Sequence, residues 1–354
     1  MTLVRMADMA ARHGHVAERV EALVVEVLRS GRYVGGPYVE RAQVALAEHF
    51  GWKHAVGVNS GTDALIYALY AAGVRPGDEV IVPAVTFFAS AGAVCRVGAI
   101  PVIADVRGDL PLLDPENLPI SSKTRAVMAV HLFGEPCVLP TLDVPIVDDS
   151  AQTAGSDPPC KLGEIAAVSF YPTKTLGAAG DGGCVFTDDI EVMRKLKLLT
   201  HHGMPTPYFA ERVDGVVGAN SRLDAIQAAI LTVHLSDMPR RVFNRRKTAA
   251  IYDRELPPDI RRLPRSPGHP VHQYVVQLPE TVGREGVMRR LADQGVESAI
   301  YYPCSLSAQP ALRDYARPTP NADAFCASCL ALPVHEALTE AEVGRVVEAV
   351  GRAV

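Results

Sequence analysis

The sequence has a single tryptophan, seven scattered cysteines, no clean apolar run of membrane-spanning length and no excess of positive charge. Each shortage removes a class of protein. Lys plus Arg (35) against Asp plus Glu (40) leaves a net charge of −5, so no global basic field exists to attract nucleic acid or an anionic membrane. Any phosphate must be bound locally. The most apolar stretch, 81–106, is interrupted by Pro83, Arg96, Pro101 and Asp105, which excludes it as a spanning helix. The first residues carry no apolar core of the kind an export signal needs, so a cytoplasmic location is expected. An odd number of cysteines in a chain this long predicts no disulfide framework and fits a reducing compartment. Cys326-Ala-Ser-Cys329 has redox or metal spacing, but it falls in a helical pattern without a second Cys/His pair. Buried helix positions are expected there, and no metal site is expected anywhere.

What is present is 354 residues with 48% apolar and 21% charged side chains, the composition of a folded chain with one large and one smaller domain. Helical periodicity over 16–28 ends at Ser30-Gly31, and a second helix is expected over about 37–50. Short apolar runs at 54–58, 79–82, 100–106, 126–131, 144–147 and 166–170 alternate with helical stretches, which predicts an α/β core with a mostly parallel sheet. Gly182 to Thr187 reads as a further strand. One long helical region, 221 to about 256, carries Arg240, Arg241, Arg245, Arg246 and Lys247, expected as a solvated face. Beyond it the pattern changes to strand (272–278), helix (284–294), strand (297–302) and two closing helices, a compact α+β unit. The division is drawn as 1–240 and 241–354.

Three segments carry chemistry. Asn59-Ser60-Gly61-Thr62 ends a strand and opens a helix, where free amides and the positive dipole end suit a phosphate, although Ser60 and Thr62 could equally be caps. Pro145-Ile-Val-Asp-Asp-Ser-Ala-Gln152 delivers two carboxylates at a strand end, and strand alternation points Asp148 and Asp149 in different directions. Ser169-Phe-Tyr-Pro-Thr-Lys174 places one lysine between a buried strand and a glycine-rich stretch. A desolvated lysine amine is nucleophilic and forms Schiff bases, whereas an ordinary lysine is a solvated charge.

With Gly180-Asp-Gly-Gly183 and Asn220-Ser-Arg-Leu-Asp224, these segments resemble in order and wording the DegT/DnrJ/StrS family of PLP-dependent nucleotide-sugar aminotransferases, over almost the whole chain. The resemblance implies the type I, aspartate-aminotransferase-like fold with a smaller C-terminal α+β domain, and pyridoxal 5′-phosphate as cofactor. It makes Lys174 the lysine that holds PLP and shuttles a proton, and Asp149 the partner of the pyridine nitrogen. Ser60, Gly61, Thr62 and Ser169 become phosphate contacts, Gln152 lies beside the ring and Phe87 stacks on it, with Phe88 as neighbour. Asn220 reaches the phosphate of a partner subunit, which implies a homodimer with shared sites. Arg222, Tyr301 and Tyr302 are expected to contact substrate: a nucleotide-linked keto sugar, with L-glutamate as amino donor.

Two departures bear on this. Only 11 residues separate Pro136 from Asp148, too few for the helix family members usually carry there. The stretch Tyr301-Tyr302-Pro303 replaces a more usual His-Tyr-Pro, while the following Gln309-Pro310-Ala311 is similar to enzymes that aminate C3. A PLP-dependent sugar dehydratase is disfavoured by Lys174, and an aminohydroxybenzoate-type synthase by Gln152. A catalytically silent regulatory homologue would have no need of Lys174, Asp149 and the phosphate loop together.

Overall fold

The computed structural model describes residues 3–354. The N-terminal part runs α1 (Met9–Gly14), α2 (Ala17–Ser30) and α3 (Pro37–His49), then β1 (His54–Val58), α4 (Gly61–Ala71), β2 (Glu79–Pro83), α5 (Ala89–Arg96) and β3 (Ile100–Ala104). It continues with β4 (Thr124–Val130), β5 (Ile146–Asp149), β6 (Ile165–Ser169), β7 (Gly183–Thr187), α6 (Ile190–Leu199), the hairpin β8 (Arg212–Val213) and β9 (Val216–Val217), and α7 (Ala225–Ser236). The remainder is α8 (Met238–Glu255), β10 (Arg261–Arg262), β11 (Tyr274–Gln277), α9 (Arg284–Asp293), α10 (Pro320–Ser328), β12 (Cys329–Leu332) and α11 (Glu340–Ala353).

Seven strands form one sheet in the order β1-β7-β6-β5-β4-β2-β3, and β7 runs antiparallel to both its neighbours while the others are parallel. Both faces are covered. One packs α4 and α5 through Leu65, Ala68, Leu69, Val82, Met128 and Val147, and the other packs α3 and α7 through Leu46, Trp52, Val168, Phe186 and Ala228. This is the mostly parallel α/β sheet the alternating pattern predicts. A three-stranded antiparallel sheet, β10-β11-β12, with α9 and α11 forms a second core that also takes in Val4.

Four expectations need correction. The region 221–256 is two helices, because Pro239 lacks an amide and fits only a first turn, so a new helix opens after Asp237. Asn220 therefore precedes the helix start rather than opening it. The arginines are not a solvated face: Arg241 and Arg245 are buried, since Asp237 and Glu336 supply carboxylates that pair with them. Residues 297–302 form no strand beyond a single bridge from Ala299 to Ala331. Cys329 opens β12 instead of continuing the helix, although it is buried as expected. Among the described residues no helix is long and apolar enough to cross a membrane, and no group of His, Cys, Asp and Glu could hold a metal ion. The segment between Gly134 and Ile146 contains no helix, as its length predicts.

Candidate active site

Parallel strands of an open α/β sheet present ligands at their C-terminal ends, and β1, β5 and β6 deliver the predicted residues there. After β1, Ser60 caps α4 by accepting a bond from the Asp63 amide at 3.1 Å, so the capping reading of Ser60 holds. The amides of Gly61 and Thr62 in the first turn have no partner within the helix and face outward with the dipole's positive end. Gly61 is required by close approach: a Cβ there would lie 2.5 Å from the Ser169 Cβ at the end of β6. A Cβ on Gly183 would lie 2.3 Å from the Ser60 carbonyl oxygen. Ser60, Gly61, Thr62 and Ser169 thus come together at one helix N-terminus, the kind of place where backbone amides receive anions.

Strand alternation separates the two carboxylates of β5. Asp149 shares a face with Val147, toward α5, where Ser90 donates to its Oδ2 at 2.9 Å and the Ala151 amide to Oδ1 at 3.3 Å. Thr86 and Ser90 share a further 2.8 Å bond behind it. Asp148 turns to the opposite face, accepting from the amides of Leu162 (3.0 Å) and Gly163 (2.9 Å), with its Oδ1 3.3 Å from His131 Nε2. Burial pushes the Asp149 carboxyl upward, and the Ser90 bond and the charge of Lys174 pull it back. Lys174 is half-buried on the turn after β6; desolvation lowers its amine, opposed by Asp149. Desolvation favours the neutral, nucleophilic form of an amine, the form that Schiff-base chemistry uses.

Gln152 is buried, its Oε1 accepting the Phe133 amide. Burial, with the charge of Asp149 next, raises the Tyr302 phenol. Tyr302 therefore feels the charge of Asp149. Phe87 is 59% exposed at the mouth, its ring centroid 6.3 Å from that of Tyr302, whereas Phe88 leans on Gly92 in α5. Tyr301 is half-buried, its ring centroid 6.0 Å from that of Tyr302. Asn220 and Arg222 lie at the rim beside the phosphate cradle: Asn59 donates to the Asn220 carbonyl at 3.1 Å, and Arg222 Nε donates to Asn220 Oδ1 at 2.9 Å.

The family model for DegT/DnrJ/EryC1/StrS aminotransferases matches residues 15–351. The chain belongs to this family. Aminotransferases of the family depend on PLP, and the buried Asp149, the half-buried Lys174 and the Ser60–Thr62 cradle fit that cofactor. A relative from Geobacillus stearothermophilus named "Pleiotropic regulatory protein" is 35% identical over 98% of this chain and 97% of its own length. A Pseudomonas aeruginosa relative named "UDP-2-acetamido-2-deoxy-3-oxo-D-glucuronate aminotransferase" is 33% identical over 96% of this chain and 98% of its own. The solved structure of S. venezuelae DesV in complex with a ketimine intermediate superposes with a TM-score of 0.91, at 34% identity, covering 100% of this chain and 99% of that one. The type I aminotransferase fold is thereby established for this chain.

In this DegT-family site, sequence reasoning missed Ser90, Thr86 and Asn59 as supporting groups. The available signal was the pair of hydroxyls flanking Phe87 and Phe88, Thr86 before α5 and Ser90 in its first turn. Arg12 and Glu336 carried no signal, since only the fold brings them near residue 174.

Proposed function

We propose that this chain transfers an amino group from L-glutamate to a keto group, at C3, of a nucleotide-linked sugar. PLP bound here supplies an electron sink for the carbanion left when a substrate C–H proton departs. Lys174 Nζ would hold the cofactor through its aldehyde carbon, and the same amine would move the substrate proton across the site. Desolvation lowers the pKa of this amine, which favours its neutral form. Asp149 keeps a proton on the pyridine nitrogen, and Ser90 orients the carboxylate that does so. The α4 amides with Ser60, Thr62 and Ser169 would receive the phosphate, Gln152 and Phe87 would lie against the ring, and Arg222, Tyr301 and Tyr302 would meet the substrate.

The observation that carries this reading is the buried Asp149, held by Ser90 at the end of β5, with Lys174 on the turn after the neighbouring strand β6 in a chain of this family. The choice of C3 is supported by the name of the Pseudomonas relative. Asn220, exposed at the rim, is assigned to the phosphate of a second subunit in a cytoplasmic homodimer. The working division at residue 240 falls within α8, which packs on both cores through Val242 and Tyr252. The regulatory reading is favoured by the name of the Geobacillus relative, yet it has no use for the Lys174 and Asp149 pair. Assaying a panel of 3-keto and 4-keto nucleotide sugars with glutamate, following 2-oxoglutarate, separates these readings. Release with a 3-keto sugar supports the proposal, and no release with any of them contradicts it.

A further inference from the structure

Arg12 stands on the short helix α1, 162 residues from Lys174 in sequence, yet it is buried against the lysine turn. Its Nη1 donates to the carbonyl oxygens of Pro172 (2.7 Å) and Lys174 (2.8 Å). Its Nε and Nη2 face Glu336, which lies just before α11 at the far end of the chain. Glu336 is held in turn by Arg245, through Nη2 at 2.9 Å and Nε at 3.1 Å. Arg245 Nη1 is anchored on the carbonyls of Val271, His272 and Val334. Burial raises the Glu336 carboxyl, but the charges of Arg245 and Arg12 outweigh it and hold the group ionised. The next residue of the turn is gripped as well: Arg241 Nη1 donates to the Thr175 carbonyl at 3.2 Å, and Thr175 Oγ1 shares a 3.0 Å bond with His272 Nδ1.

This arrangement answers a specific difficulty. The lysine turn runs into a stretch with Gly177, Gly180, Gly182 and Gly183, whose backbone freedom gives it no stiffness of its own. Lys174 Nζ sits at the end of four rotatable bonds, so its aim depends on where the turn holds the Cα. A planar guanidinium spreads five donors over three nitrogens in a fixed fork and so reaches two carbonyls on one side and a carboxylate on the other, whereas a lysine concentrates its three donors on one atom. We propose that Arg12, fixed by Glu336, is a positioning residue that sets the Lys174 backbone so that its amine faces the cofactor. The proposal rests on the reading that Lys174 holds PLP.

The test compares Arg12→Lys and Arg12→Gln with Arg246→Lys as control. Arg246 also donates to backbone carbonyls, of His269 at 2.9 Å and Gly268 at 2.6 Å, away from the lysine turn. PLP is added to cofactor-free protein, samples are reduced with borohydride over time, and peptide mass mapping gives the rate at which cofactor is fixed on Lys174; melting temperatures are recorded alongside. Arg12→Lys should slow fixation by roughly tenfold or more while melting near the control, because small misplacements of a reacting group are costly in rate. The control should match wild type. Wild-type fixation rates in both Arg12 variants overturn the proposal, as does failure of both to fold, which would make the contact a requirement of the fold rather than of the lysine. If wild-type protein is not fixed on Lys174 at all, the cofactor reading fails first and this inference with it.

Discussion

Asp148 and Asp149 are adjacent in sequence and face opposite sides of the sheet: Asp149 accepts from Ser90 on α5, and Asp148 accepts from the amides of Leu162 and Gly163. Their roles should separate accordingly. Asp149→Asn should lose roughly 100-fold or more in kcat, since a neutral amide cannot stabilise the ring cation as a carboxylate does. Asp148→Asn should keep most of its rate but lose about 1–3 kcal/mol of stability, because that fully buried group anchors two backbone amides. Steady-state kinetics with thermal melts on both variants checks the ranking, and a reversed order of kcat would contradict it.

Ser90 tunes the same carboxylate. Burial raises the Asp149 carboxyl and the Ser90 bond is the largest influence lowering it, so Ser90→Ala should raise it further. The ionised form is the working one, and a higher pKa leaves less of it at a given acid pH. The acid limb of the kcat/KM profile should therefore move to higher pH while the alkaline plateau is largely kept. An unmoved limb would show that Asp149 does not control it.

Three buried histidines predict how the cofactor-free protein responds to acid. Burial holds His234 at about 4 and His269 at about 3, and it holds His272 well below its ordinary value. His269 lies 3.8 Å from Glu135 yet stays neutral, because burial and the charges of Arg265 and Arg246 outweigh that carboxylate. Between about 6.5 and these folded values the unfolded chain binds more protons, so stability is full above 6.5 and is lost as pH falls. The melting temperature should drop between pH 7 and 5, before ordinary carboxylates titrate, and His269→Gln should flatten part of that drop. A melting temperature that stays level over this range would contradict the assignment.

The shared-site assignment of Asn220 makes a complementation prediction. Lys174→Ala and Asn220→Ala homodimers should each be impaired. After subunit exchange, a heterodimer carries both defects in one site and neither in the other, so random mixing should restore roughly a quarter of wild-type sites. If Asn220 instead serves the cradle of its own chain, beside Asn59, every heterodimer site keeps one defect and activity does not recover.

The sheet was readable because its strands are short apolar runs buried on both faces, and those signals need no tertiary information. Helix α4 was placed within a residue or so because Ser60 caps it by local chemistry. The hairpin β8-β9 escaped notice even though Asp214-Gly215, both at positive φ, is a strong turn signal; two-residue strands are too short to show alternation. Charge pattern misled at Arg241 and Arg245: Asp237, at the cap of the same helix, pairs with Arg241 at the local i, i+4 spacing, whereas the partner of Arg245, Glu336 some 91 residues away, is set only by the fold. In the site, Lys174 and Asp149 stood out by position on strand ends, whereas Ser90 and Arg12 act through contacts made only after folding.

The most direct measurement is borohydride reduction of the purified PLP-bound protein, followed by peptide mass mapping of wild type and Lys174→Ala. The account predicts a yellow wild-type protein whose cofactor is fixed on Lys174 alone, and a folded Lys174→Ala variant that retains no fixed cofactor and does not transaminate. Cofactor fixed on another lysine, or transamination surviving in Lys174→Ala, would contradict it.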